Sequence, residues 1–146
     1  MMTEINQLVQ SHQLSPHPEG GYYKETYRSQ HSTGIYYLLG KEDFSSLHRI
    51  TSDEMWHFYG GDSLVVMEID EDGKVIETLL SNKNPQYVVK GGRWFGAYLP
   101  EGAYYAFCGC TVSPAFSFED FKLANLEDLS HLEDDVLQRV SKILRR

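Results

Sequence analysis

The chain has 146 residues, of which 41% are hydrophobic, 13% aromatic and 23% charged. That is the length of one domain, able to bury a core without disulfide staples, and the balance of a globular rather than a disordered chain. Thirteen Lys and Arg against 21 Asp and Glu give a net charge of −8, and the one basic pair is Arg145-Arg146 at the end, so nucleic acid and anionic membrane surfaces are excluded as natural partners.

Met1 to Asn6 shows no basic segment followed by an apolar core, and no apolar run approaches the roughly 20 residues of a membrane helix. With no export signal and two cysteines, Cys108 and Cys110, a cytoplasmic setting with reduced thiols is expected. The C-G-C spacing puts both side chains on one face of a strand. Lacking the second pair of a zinc site, they read as buried small hydrophobes.

Thr3 to Gln13 carries Ile5, Leu8 and Val9 at helical spacing, with Thr3 as N-cap, and the breakers of Ser15-Pro16-His17-Pro18-Glu19-Gly20-Gly21 end this helix. Short aromatic and β-branched runs then predict strands over 22–28, 34–39, 44–50, 54–59, 63–69, 75–80, 86–89, 94–99, 104–112 and 116–123. Gly60-Gly61-Asp62 and Asp70-Glu71-Asp72-Gly73 are hairpin signals; Asn82 to Pro85, Lys90-Gly91-Gly92 and Pro100-Glu101-Gly102 are loops or turns. Short strands at this spacing, uninterrupted by long helices, predict an all-β antiparallel sandwich or barrel. Ser130 to Arg146 is read as a helix, capped by Ser130 with Glu133 completing a capping box. It presents an apolar stripe of Leu132, Val136, Leu137, Val140, Ile143 and Leu144.

The stretch Ser46 to Gly61 holds His48, Asp53, Glu54 and His57 within ten positions. Glu54 and His57 form Glu-x-x-His, which on a helix would place both on one face, but a di-iron bundle needs facing helices that this chain lacks. On strands, Ser46, His48 and Ile50 share one face, Glu54, Trp56 and Phe58 another, and Met55, His57 and Tyr59 the opposite one. If His48 and Glu54 both point inward, they meet across a hairpin, and His57 points away unless a bulge re-aims it. In the strand over 22–28, alternation puts Tyr23, Glu25 and Tyr27 on one face and Tyr22, Lys24, Thr26 and Arg28 on the other. One of these faces is expected at the barrel mouth or a dimer seam. His12, His31 and His131 are assigned surface roles.

These residues resemble the cupin pattern. Its usual first motif runs His-x-His, three or four residues, Glu, six residues, Gly; here His48 takes the first His, Glu54 the Glu and Gly61 the closing Gly, while Ile50 stands at the second His. In the second motif Lys90-Gly91-Gly92 takes the turn, and Phe95 stands where another His is usual. The segments His17-Pro18-Glu19-Gly20-Gly21-Tyr22-Tyr23, Asp53-Glu54-x-Trp56-His57-Phe58, Gly92-x-Trp94 and Cys108-Gly109-Cys110-Thr111-Val112 look like the small single-domain cupin family catalogued as a domain of unknown function.

The resemblance implies an all-β fold, the cupin double-stranded β-helix or jelly-roll barrel with short N- and C-terminal helices. It implies one domain over 1–146, the barrel about 17–123 and the C-terminal helix about 130–146, and a homodimer, but no established reaction. Two of four metal donors are replaced by apolar groups, so no metal and no cofactor is expected. The expected partner is a small-molecule, carbohydrate-like ligand. The sites expected for it are His48 and Glu54 as catalytic residues, His48 as acid or base and Glu54 orienting it. Ser46, Trp56, His57, Trp94 and Phe95 are expected to contact the ligand. A metal-independent epimerase or isomerase is the first functional reading, by analogy with the nucleotide-sugar epimerases that share the jelly roll. The alternatives are a non-catalytic binder, and a metal-dependent enzyme using His48, Glu54 and His57.

Overall fold

A computed structural model describes residues 3–144. In chain order the elements are α1 (Glu4–His12), β1 (Ser15–Pro16), β2 (Tyr22–Arg28), β3 (Thr33–Gly40), β4 (Phe44–Arg49), β5 (Asp53–Gly61), β6 (Leu64–Ile69), β7 (Val75–Leu80), β8 (Gln86–Val89), β9 (Phe95–Tyr98), β10 (Tyr105–Ser113), β11 (Lys122–Leu123) and α2 (Asp134–Val140). The strands form two antiparallel sheets, one ordered β1-β2-β3-β10-β5-β8 and the other β11-β4-β9-β6-β7. This is the expected all-β jelly roll. No helix among the described residues is long and apolar enough to cross a membrane.

The period of two along each strand sorts the side chains into two cores. On β6, Leu64 and Val66 face between the sheets and join Tyr37, Leu39, Trp56, Phe95, Cys108 and Cys110. Their neighbours Met67 and Ile69 face outward and join Leu47, Leu129, Val136, Val140 and Ile143 under α2. The C-terminal stripe thus packs on its own domain, as its spacing requires. Gly61, which closes the first motif, has φ +87°, and a Cβ there would stand 2.6 Å from the Tyr105 carbonyl oxygen. Gly91 has another constraint: its Cβ would stand 2.2 Å from the Thr51 carbonyl oxygen, so only glycine lets the two turns cross.

Three expectations change. The run over 116–123 is not one strand: Phe118–Asp120 forms a 3₁₀ turn capped by Ser117, and only Lys122 and Leu123 pair with β4. Phe116, Phe118 and Phe121 pack edge-on against one another instead of alternating across a sheet. The last helix is also shorter. Ser130 closes a 3₁₀ turn by donating its N–H to the Glu127 carbonyl, so Glu133, not Ser130, occupies the cap position of α2. After Val140 the chain tightens into a 3₁₀ turn, Ser141–Ile143, and Arg145 and Arg146 lie outside the described residues. At the other end, the Thr3 hydroxyl accepts from the Asn6 N–H at 3.2 Å, as its cap role predicts.

Candidate functional site

His48 and Glu54 reach one cavity from different sheets. β4 pairs with β9 and β11, whereas β5 pairs with β10 and β8, so the two residues face each other across the sandwich and not across a hairpin. The cavity holds about 270 Å³, at the low edge of the roughly 300–1,000 Å³ of drug-sized sites. His17, Glu19, His48, Glu54 and Cys110 line it with polar groups; Ile35, Ile50 and Val112 supply apolar wall.

The carboxylate that pairs with His48 is Glu19, not Glu54. Glu19 Oε2 lies 2.7 Å from His48 Nε2, and both side chains are buried. Glu19 sits in the loop between β1 and β2, and backbone bonds hold that loop against β4. The Ser46 N–H donates to the Glu19 carbonyl at 2.7 Å, and the Gly21 N–H donates to the Asp43 carboxylate at 2.9 Å. The Tyr37 hydroxyl donates to the Gly20 carbonyl at 2.5 Å. The other nitrogen of His48, Nδ1, lies 2.6 Å from the Ser46 carbonyl oxygen.

Charge follows from these contacts. Burial pushes Glu19 up, but attraction to His48 and the hydrogen bond between them outweigh it and hold the carboxyl below its ordinary range. Burial likewise pushes His48 down, and the Glu19 charge and hydrogen bond, joined by Glu54, carry the ring above its ordinary value. His17 is lowered, chiefly by burial. Its Nδ1 accepts the Glu19 N–H at 3.1 Å, so its 3.6 Å approach to the Glu19 carboxylate is not an ion pair. Glu54 is pushed up to about 7, by burial first and then by the Glu19 charge, against the pull of His48 and the Cys110 hydrogen bond. Burial, followed by the Glu54 charge, drives the Cys110 thiol well above its ordinary value, so it stays protonated.

The mouth is built by a bulge and a strap. In β2, Glu25 pairs with Ile35 and Tyr27 with Gly34, which leaves Thr26 as an extra residue. That bulge reverses the expected alternation: Tyr23, Glu25 and Arg28 line the cavity, and Tyr27 is 59% exposed. Arg28 binds the Glu25 carboxylate at 2.6 Å and donates from Nη1 to the Phe116 carbonyl at 3.0 Å. The Phe116 N–H donates to Thr33 Oγ1 at 3.1 Å. The strap so anchored brings Phe116, Phe118 and Phe121 over the cavity.

Of the other expected ligand contacts, none has its side chain on the cavity wall. Phe95 is buried behind His48, ring centroids 4.2 Å apart, and buttresses it. Ser46 acts through its backbone, which touches both Glu19 and His48. Trp56 is core, edge-on to Tyr37. Trp94 faces the opposite way from Phe95, into the cluster under α2, with Arg49 4.4 Å over its ring. His57 points out of the barrel, its Nε2 2.9 Å from Thr111 Oγ1 and its Nδ1 3.3 Å from the Gln86 amide. Glu19, His17, Arg28 and Cys110 join the site without any motif in the sequence that marks them for it. The dense segment 17–23 signals the family, not a folded-over loop.

These residues do not suit a metal of the usual cupin kind. Ile50 and Phe95 replace two donors, the Nε2 of His48 is taken up by Glu19, and His57 lies on the wrong face. Among the described residues no group of three or more His, Cys, Asp or Glu side chains is disposed to hold a metal ion.

Comparison with known proteins agrees with this architecture. The family model described as "Cupin superfamily (DUF985)" matches residues 6–124. Protein SO0799 from Shewanella oneidensis is 32% identical, with 99% of each chain covered and a TM-score of 0.89. A hypothetical protein from Leishmania major is 31% identical over 97% of this chain and 98% of its own, with a TM-score of 0.87. Oxalate decarboxylase from Bacillus subtilis is similar in fold, at 15% identity and a TM-score of 0.65 over 88% of this chain and 34% of that one. No curated protein matches. Fold, motif spacing and family model converge: the chain belongs to the cupin superfamily, in the family DUF985.

Proposed function

We propose that the cavity binds a small, carbohydrate-like ligand and moves a proton on it beside a carbonyl group, as a metal-independent isomerase or epimerase does. One observation carries this reading. A buried carboxyl, Glu54, with a proton affinity near neutrality, faces a buried His48–Glu19 pair across an open cavity with an aromatic wall. Glu54 is the proton carrier, and the buried His48–Glu19 pair opposite it supplies the polar wall against which the ligand is held. The Phe116, Phe118 and Phe121 rings offer faces for the apolar side of a sugar ring.

The test reads the proton transfer itself, whatever the net reaction. Aldoses, ketoses and 2-hydroxy carbonyl compounds are incubated with the protein in D₂O, and NMR follows deuterium entry at the carbon next to the carbonyl. Exchange that Glu54→Gln abolishes supports the proposal. A ligand that raises the melting temperature but never exchanges would instead identify a binding protein without turnover.

A further inference from the structure

The carboxylate that holds His48 belongs to neither cupin motif, and its geometry fixes more than the orientation of a ring. His48 Nδ1 lies 2.6 Å from the Ser46 carbonyl oxygen. A carbonyl oxygen has no proton to give, so Nδ1 must be the donor. His48 Nε2 lies 2.7 Å from Glu19 Oε2, and an ionised carboxylate there is an acceptor only, so it faces a second N–H of the ring. The ring is 3% exposed and packed by Phe95 at 4.2 Å and Phe121 at 5.3 Å. The titratable and charged groups that line the cavity with it are Glu19 and His17 from the loop before β2, Tyr23, Glu25 and Arg28 from β2, Glu54 from β5 and Cys110 from β10. Of these, Glu19 is the one within ion-pair distance of the ring.

We infer that Glu19 is a positioning residue that keeps His48 doubly protonated, so that this cavity holds a buried imidazolium–carboxylate pair and His48 has no lone pair to offer a metal. The replacements at Ile50 and Phe95 then fall into place. With both ring nitrogens protonated, His48 offers no lone pair for other donors to join, and Phe95 packs its ring instead. The pair is internally neutral, and the group left to change its charge during ligand chemistry is Glu54. The competing arrangement, a neutral ring accepting a hydrogen bond from a protonated Glu19 carboxyl, leaves one proton on the ring instead of two. The inference concerns the state of the protein alone and holds whether or not the cavity turns over a ligand.

The experiment is long-range proton–nitrogen NMR of the histidine rings in ¹⁵N-labelled protein at pH 7.5, with His48→Gln to assign the signals. Ring-nitrogen shifts report protonation even where the N–H protons exchange. Both His48 nitrogens should show the protonated, pyrrole-like shift, and a cobalt(II) titration should leave them unmoved. In Glu19→Gln one of the two should move to the unprotonated position. One bare nitrogen in the unmodified protein, or stoichiometric cobalt that displaces the His48 signals, overturns the inference. The unmodified protein decides the matter even if the variant does not fold.

Discussion

Nε2 of His48 and Oε2 of Glu19 lie 2.7 Å apart inside the barrel, joining the loop before β2 to a strand of the opposite sheet. Removing one partner of such a buried pair exposes the full desolvation cost of the other. Glu19→Gln is expected to cost about 3 kcal/mol by urea denaturation, toward the low end for buried pairs because the amide N–H can donate to the ring nitrogen left without its proton. The lowered carboxyl contributes stability above its ordinary value of 4.5 and loses it as pH falls through the folded value. The raised imidazole contributes below 6.5 and loses it as pH rises through its own folded value. The difference between the two proteins should therefore be greatest between about pH 4.5 and 6.5. A pH-independent difference would show that packing, not charge, is responsible.

Glu54 behaves in the opposite sense to Glu19. Its proton affinity is raised from 4.5 to about 7, so the folded state holds a proton that the unfolded state releases. The native state loses stability as pH climbs through that window, by roughly 3 kcal/mol in full. Glu54→Gln, which mimics the protonated acid, should be nearly neutral at pH 4. At pH 8 it should be more stable than the parent by about that amount, a rise in Tm on the order of 5–10 °C. Melting curves at the two pH values check this, and equal Tm differences at both would refute it.

The same group sets the pH dependence expected of the proposed chemistry. Proton abstraction needs the Glu54 carboxylate, so deuterium exchange into a responsive sugar should climb through about pH 7 and level off above it. Glu54→Gln should lower that exchange about 10²-fold or more. A rate that is flat from pH 5 to 9 would move the proton to another residue.

Arg28 ties the strap to the mouth, donating to the Phe116 carbonyl while bound to Glu25. Both side chains of that ion pair are well exposed, at 49% and 40%, so Arg28→Gln should leave global stability nearly unchanged. Its effect should be local. Amide hydrogen exchange should quicken across 115–121 and stay unchanged in β5 and β10. Unaltered exchange in the strap would mean that the Phe116 N–H bond to Thr33 and the ring packing hold it alone.

Much of this is legible in the residues. The bounds of β2, β7 and β8 follow directly from aromatic and β-branched runs between turn residues, and the cupin spacing around His48, Glu54 and Gly61 marks the barrel. Alternation alone tells that His57 turns away from Glu54, and that Trp94 and Phe95 cannot face the same way. What alternation cannot tell is which strands share a sheet. His48 and Glu54 are close in sequence, so a hairpin is the local reading, yet pairing of β4 with β9 and of β5 with β10 separates them. Glu19 is a long-range contact made by a loop with no periodicity, and Arg28 enters the cavity through one inserted residue that no propensity marks. The strap reads as a strand because its phenylalanines at 116 and 118 mimic a period of two.

The cavity's acid strength is also a measure of distance. His48 rides on the five-stranded sheet and Glu54 on the six-stranded one, with the Glu19 loop lashed to the former through Ser46. Coulomb energy falls with separation, so the opposing pulls of Glu19 and His48 on Glu54 vary with the gap between the leaves. Residues such as Leu64 and Val66, which fill that gap at positions outside either motif, act as spacers. Trimming or enlarging them alters the caliper setting of the sandwich and, through it, the pH at which Glu54 gives up its proton.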